Sequence, residues 1–219
     1  IKIYNPEIES QHTPFEGKKF INFKKNMKFR SDLARMIILY NYGGIYFDLD
    51  LILFKDLRCI SDLDFCYQWG GVDGGNNALL GLKKGSKTTI QIMKKYIKFL
   101  SEGCNHTSEK YNSNYQFKLG FTHELLSSEI DLFCFPSAFF DPIWILDFKN
   151  KKSKYDNLNR FDDFFKTTDK KVTINKMFQG LLLGYHWHSR NDIQIEKNSY
   201  YQQIEYEIIK FTDIKNKYI

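Results

Sequence analysis

The apolar and polar positions between residues 30 and 50 change period at a pair of glycines. Before the glycines, apolar residues recur at three- and four-residue steps, which predicts a helix that opens at Arg30 or Ser31. Gly43 and Gly44 then predict its end, because glycine adopts left-handed backbone conformations that other residues avoid. After them the pattern alternates and predicts a strand. The apolar positions of the helix and strand are Leu33, Met36, Ile37, Tyr40, Ile45, Phe47 and Leu49.

Two carboxylates follow this helix-to-strand switch. In one continuous strand, Asp48 and Asp50 would project from the same side, about 7 Å apart. Hard cations such as Mg²⁺ and Mn²⁺ take oxygen ligands, usually one or two carboxylates together with substrate phosphates. The pair therefore predicts a metal site, and the alternative is two solvated residues at a strand end.

The rest of the chain alternates between predicted strands and helices. Strands are expected at residues 51–54, 64–69, 77–82 and 133–136, and helices from Ser86 and over residues 200–217. This order predicts an α/β domain with a mixed sheet, whose site lies beyond the carboxyl edge of the strands. One domain is expected over residues 1–219, with a charged, irregular insertion at 149–171.

A second polar segment follows the apolar residues 181–183. His186 and His188 are two positions apart, so that both imidazoles project to one side of a strand end. Neutral imidazole ligates Mn²⁺ as well as Zn²⁺, and His186 is the first choice for a ligand, with His188 second. The alternative is a pair of structural histidines.

Composition and charge limit the kinds of partner and compartment that are expected for the chain. The net charge of +6 comes from scattered lysines without a long basic run, so no nucleic-acid partner is expected, although a membrane surface would attract the chain weakly. The sequence contains no apolar stretch of 18 residues and does not begin with a signal peptide. We expect a cytoplasmic protein, or a Golgi-lumen protein if an N-terminal anchor has been removed.

The string S-D-L-A-R-x-x-x-L-Y-x-Y-G-G-I-Y-x-D-x-D, at residues 31–50, resembles the sugar-binding region of family 32 glycosyltransferases. That family includes capsular polysaccharide transferases and yeast mannosyltransferases, and the string is also similar to the catalytic domain of clostridial glucosylating toxins. The resemblance implies a GT-A fold with a mixed, mostly parallel sheet flanked by helices. It also implies a retaining, metal-dependent transfer from a UDP- or GDP-sugar to a glycan, glycolipid or protein acceptor.

The resemblance also assigns roles. It implies that Asp32 and Arg35 hold the donor sugar, that Asp48 binds the ribose and sugar side of the nucleotide, and that Asp50 binds Mn²⁺ or Mg²⁺. Asp48 and Asp50 are thus the predicted catalytic residues. Relatives place an asparagine beside the donor sugar, for which Asn77 is the candidate and Asn76 the substitute. A His-aromatic segment in relatives returns to the diphosphate and completes the metal shell, which implicates His186 and His188 as metal ligands and Trp187 in donor binding. The N-terminal strand of the family matches poorly here, so it is either trimmed or divergent.

Two other functions fit parts of the pattern. Phe47-Asp48-Leu49-Asp50 also resembles the start of haloacid-dehalogenase-type phosphatases, in which the first aspartate attacks phosphorus and the second is the acid. Here Leu51-Ile52 replaces the Gly-Thr of those enzymes. The other alternative is a non-catalytic sugar-binding or interaction module that keeps the same fold.

Overall fold

The computed structural model describes residues 3–22, 27–68, 75–101, 131–141, 164–171, 173, 182–187 and 194–216. The helices are α1 (Pro6–Glu9), α2 (Met27–Tyr42), α3 (Lys87–Ser101) and α4 (Tyr200–Asn216). The strands are β1 (Gly44–Phe47), β2 (Leu51–Leu53), β3 (Phe65–Gln68), β4 (Gly75–Leu82), β5 (Phe133–Phe135) and β6 (Gly184–His186). Among the described helices, none is both long and apolar enough to cross a membrane.

The chain divides into two compact units. The first comprises Ile1–Asp48 and Leu57–Phe135, and the second comprises Leu49–Asp56 and Pro136–Ile219. The expectation of one catalytic domain over the whole chain stays a prediction.

The first unit contains a four-stranded sheet in the order β1-β4-β3-β5. Strand β4 pairs antiparallel with β1 and with β3, and β3 pairs parallel with β5. The sheet is therefore mixed, as predicted, but the expectation of a mostly parallel sheet is wrong for the described strands. Only residues 69–74 separate β3 from β4, and a parallel crossover needs a dozen or more residues.

Helix α2 begins at Met27, earlier than the predicted start at Arg30 or Ser31. The apolar stripe of the helix extends back to Phe29, which is fully buried with Met36 and Ile37 in the core of the first unit. Asp32 therefore lies beyond the first turn, where the helix dipole has little effect on its charge.

The predicted glycine stop is confirmed. Gly43 has a φ of +69° and Gly44 a φ of +107°, and the Gly43 N–H donates to the Leu39 carbonyl at 2.8 Å. A β-carbon at Gly43 would lie 2.8 Å from the backbone nitrogen of Lys84, so both conformation and space require glycine there.

The strand after the glycines is shorter than predicted. Strand β1 ends at Phe47, although the Asp48 N–H still donates to the Ala78 carbonyl at 2.7 Å. Leu49 and Asp50 form a turn, and β2 begins at Leu51. The prediction that Asp48 and Asp50 lie on one continuous strand is wrong, because β2 takes β6 as its partner while β1 pairs with β4.

The second unit is built on the antiparallel β2–β6 pair and an aromatic core. Leu51 pairs with His186, Ile52 with Tyr185 and Leu53 with Gly184. Its buried core residues are Phe164, Phe165, Leu182, Tyr185, Tyr200 and Ile204. Phe164 and Phe165 belong to the predicted insertion at 149–171, of which residues 149–163 lie outside the described part of the chain.

Residues 3–22 of the first unit contain α1 and a short 3-10 helix, Lys19–Asn22, with no strand within that described range. Asn5 caps α1, because its side-chain oxygen accepts from the backbone N–H groups of Glu7 and Ile8. The family's first strand therefore has no counterpart in residues 3–22.

Candidate functional site

Five polar or aromatic side chains of the first unit form what we call the arginine cluster: Asp32, Arg35, Tyr46, Asp48 and Asn77. Helix α2 supplies the first two, which share a face because they are three positions apart. Tyr46 lies in β1, Asp48 directly follows it, and Asn77 lies in the neighbouring strand β4. The antiparallel β1–β4 pairing thus brings together residues that are up to 45 positions apart in the sequence.

Arg35 is at the centre of the arginine cluster. Its Nη2 lies 3.4 Å from Asp32 Oδ1 and 3.3 Å from Asp48 Oδ1, and its Nη1 donates to the Asn77 carbonyl at 2.7 Å. The guanidinium also lies 4.3 Å from the centroid of the Tyr46 ring, a cation–π distance. One permanently charged cation therefore orients both carboxylates.

The two adjacent asparagines have different partners. Asn77 Nδ2 donates to Asp32 Oδ1 at 2.9 Å, which places Asn77 in the arginine cluster as predicted. Asn76 is buried, and its Nδ2 donates to the Tyr67 hydroxyl at 2.7 Å while its Oδ1 accepts from the Ala78 N–H. The geometry favours Asn77 over Asn76 as the candidate for ligand contact.

Tyr46 was not predicted as a site residue. Its hydroxyl donates to Asp48 Oδ1 at 2.5 Å, and burial raises its pKa to about 12, with the hydrogen bond to Asp48 acting in the same direction. The phenol therefore stays a donor at neutral pH. The strand alternation that put Tyr46 and Asp48 on one face was the signal that could have identified it.

Exposure differs within the arginine cluster. The side chains of Asp32 and Arg35 are each 5% exposed, whereas that of Asp48 is 29% exposed. Asp48 is thus the carboxylate of the cluster most open to a ligand, and its charge is partly balanced by Arg35. Carboxylates accept hydrogen bonds from hydroxyls, so this arrangement suits the binding of a sugar or ribose.

The second unit contains what we call the histidine cluster: Asp50, Asp141 and His186. His186 Nε2 lies 3.3 Å from Asp50 Oδ2, and its Nδ1 lies 4.0 Å from Asp141 Oδ2. Backbone hydrogen bonds hold the three in place, since the Trp187 N–H donates to the Asp50 carbonyl at 3.1 Å and the His186 N–H donates to the Phe140 carbonyl at 2.8 Å.

The histidine cluster fits a divalent cation by its donor set. The Asp50 carboxylate and the His186 imidazole nitrogen are close enough for one cation to bind both. This combination of ligands suits Mn²⁺ and also Zn²⁺. Only Leu49 separates Asp50 from Asp48 in the sequence. The Leu49 side chain between them is 95% exposed.

The last two predicted site residues are His188 and Trp187. His188 lies outside the described residues. The Trp187 ring is half-buried and packs against Phe165 and Tyr201, with centroids 6.1 and 5.9 Å away. Packing explains this ring position, and the role of Trp187 in donor binding stays a prediction.

Comparison with protein families gives one match. Residues 3–69 match the family model described as a glycosyltransferase sugar-binding region containing a DXD motif. The matched range includes α2, β1 and both aspartates, and it supports a glycosyltransferase-type family. Comparisons with curated proteins and with solved structures gave no match.

Proposed function

We propose that the protein is a metal-dependent glycosyltransferase of the family 32 type with a GT-A fold. It would move a sugar from a UDP- or GDP-sugar to a hydroxyl of a glycan, glycolipid or protein, with retention of configuration. The observation that carries the proposal is the arginine cluster, in which Asp32, Arg35 and Asp48 of the matched sugar-binding region converge. Asn77, which lies beyond the matched range, joins them through Asp32.

The arginine cluster would hold the donor. Asp48 is exposed enough to accept hydrogen bonds from ribose or sugar hydroxyls, while Tyr46 and Arg35 fix the position of its carboxylate. Asp32 and Asn77, held by the same guanidinium, would contact the sugar at the buried side of the cluster. Preorganised contacts of this kind reduce the entropy cost of orienting the anomeric carbon.

The histidine cluster would hold the cation through Asp50 and His186, with His188 as a further candidate ligand. When bound there, Mn²⁺ or Mg²⁺ supplies a positive charge that stabilises the departing diphosphate. In the transfer itself, the acceptor hydroxyl oxygen would form a bond to the anomeric carbon as the bond from that carbon to the diphosphate oxygen breaks, and the hydroxyl proton would pass to the departing diphosphate. Asp48 and Asp50 are the proposed catalytic residues.

The test is a panel of UDP- and GDP-sugars incubated with the full chain, with and without Mn²⁺. We expect nucleotide to be released from at least one donor, and the release to require the metal and to increase with an added glycan acceptor. Absence of release from every donor would contradict the proposal. A generic phosphomonoester belongs in the same panel, because its hydrolysis is what the phosphatase alternative requires.

A further inference from the structure

Asp141 is a fully buried carboxylate that the sequence did not single out. It follows the 3-10 helix Ser137–Phe139, and its backbone N–H donates to the Ser137 carbonyl at 2.6 Å. The neighbouring Phe140 carbonyl accepts the His186 N–H at 2.8 Å. Backbone hydrogen bonds therefore keep Asp141 next to His186, independently of any bond between their side chains.

The His186 ring lies between two carboxylates of different exposure. Nε2 lies 3.3 Å from Asp50 Oδ2, whose side chain is 16% exposed, and Nδ1 lies 4.0 Å from the wholly buried Asp141. A buried carboxylate is costly unless an N–H or a positive charge compensates it. At 4.0 Å the contact between Nδ1 and Asp141 is electrostatic rather than a hydrogen bond, and the nearer Asp50 lies on the Nε2 side. A cation bound on the Nε2 side would leave the ring proton on Nδ1, facing Asp141.

We propose that Asp141 is a positioning residue that keeps the Nδ1–H of His186 turned towards itself when a cation is bound, and so presents Nε2 as a metal ligand beside Asp50. This role rests on the proposed function, because it assumes that the histidine cluster holds the cation. A carboxylate behind a ligating imidazole fixes the ring and raises its basicity, and removal of such a partner typically weakens metal binding about 10- to 100-fold.

The first measurement is the tautomer of His186 in the chain loaded with Zn²⁺, which is diamagnetic and accepts imidazole ligands. With ¹⁵N-labelled histidine in alkaline buffer, where an ordinary imidazole is neutral, long-range ¹H–¹⁵N spectra distinguish the two ring nitrogens. His186→Ala identifies the signals of this ring among the five histidines. We expect the proton on Nδ1, and a proton on Nε2 in the wild-type chain would overturn the proposal.

The second measurement is Mn²⁺ affinity, followed by electron paramagnetic resonance of free Mn²⁺. We expect Asp141→Leu to weaken binding about 10- to 100-fold, and Asp141→Asn, which keeps an acceptor oxygen and the same size, to weaken it less. The loss should disappear when Asp141→Leu is added to His186→Ala, because the ring that Asp141 positions is already absent.

Asp64→Asn is the matched control. Asp64 is another buried carboxylate, and its Oδ1 accepts from the Lys83 N–H at 2.6 Å in the first unit. We expect Asp64→Asn to leave Mn²⁺ affinity unchanged.

If the Asp141 variants bind Mn²⁺ like the wild type, the positioning role is wrong while the proposed function stands. If the wild-type chain itself binds no Mn²⁺, both fail together. Should Asp141→Leu not fold, the wild-type tautomer and Asp141→Asn decide.

Discussion

The arginine cluster and the histidine cluster each contain two aspartates, but the group between the aspartates differs. In the first unit it is the guanidinium of Arg35, which is always positively charged and lies 3.4 and 3.3 Å from Asp32 and Asp48. In the second unit it is the imidazole of His186, which is a metal ligand when neutral.

Under the proposed function, this difference separates donor binding from metal binding, two tasks that a transfer from a nucleotide-sugar requires. A cluster with its own permanent cation has its carboxylates oriented before any ligand arrives, which suits the precise binding of hydroxyls. A cluster of two carboxylates around a side chain without a permanent positive charge suits the binding of a divalent cation. Changes in the first cluster should therefore alter stability and donor binding, and changes in the second should alter metal dependence.

The largest expected effect is that of Asp50→Asn. The variant loses a charged ligand of the proposed cation, so metal-dependent nucleotide release should fall about 1,000-fold or more, with the fold intact by circular dichroism. The exposed Asp62→Asn is the control and should keep full activity. Undiminished activity in Asp50→Asn would remove Asp50 from the mechanism and end the proposed division of tasks.

Arg35→Met tests whether the first cluster depends on its internal cation. It leaves Asp32, which is 5% exposed, without the charge beside it, and the free energy of unfolding should fall by about 3–5 kcal/mol. Urea denaturation measures this loss. Arg30→Met changes an exposed arginine of the same helix and should shift the free energy by less than about 0.5 kcal/mol. Equal midpoints for the two variants would contradict the central role of Arg35.

The adjacent asparagines allow a finer test. Asn77→Ala removes a hydrogen bond to the Asp32 carboxylate and should raise the KM for the donor about 10-fold. Asn76→Ala should instead lower the free energy of unfolding by about 1–3 kcal/mol, because it leaves the buried Tyr67 hydroxyl and Ala78 N–H without this partner. We expect the donor KM to be unchanged in Asn76→Ala, and a reversed pattern would assign donor contact to the other asparagine.

The smallest effect is a pH dependence from Tyr46. Its pKa is raised from 10.0 to about 12 in the folded chain, so the folded state holds the proton more tightly than the unfolded state. The stability that this group contributes is complete below pH 10 and is lost as the pH rises towards 12. The difference in free energy of unfolding between the wild type and Tyr46→Phe should therefore change across this range. A constant difference would show that the phenol is not shielded.

The sequence was most informative where one local rule dominates. The stop at Gly43 and Gly44 was predictable because the chain needs positive φ angles there, and the period change on either side specified a helix and then a strand. The helix start was harder to predict, because Phe29 extends the buried stripe beyond the polar residues that resemble a cap.

Local sequence patterns could not predict contacts between residues that are far apart in the sequence. Strand β2 pairs with β6, whose residues are 131–135 positions away, and this pairing ends the strand that alternation predicted through Asp50. The arginine cluster could be assembled in part, since Asp32, Arg35 and Asp48 were named through a resemblance, but the bond between Asn77 and Asp32 depends on the β1–β4 register. Asp141 had no signal in its own sequence neighbourhood.

Position 49, between the two aspartates Asp48 and Asp50, is suited to the attachment of a spectroscopic probe. Leu49 is 95% exposed, so a probe attached to a cysteine at this position would be surrounded mainly by solvent while sitting one residue from each carboxylate. A nitroxide there would sense a paramagnetic ion through broadening of its own spectrum, and a fluorophore would sense an arriving nucleotide. The four native cysteines, of which Cys59 is exposed, would first be changed to serine or alanine, so that labelling is confined to position 49. Neither reporter would alter a residue assigned to chemistry.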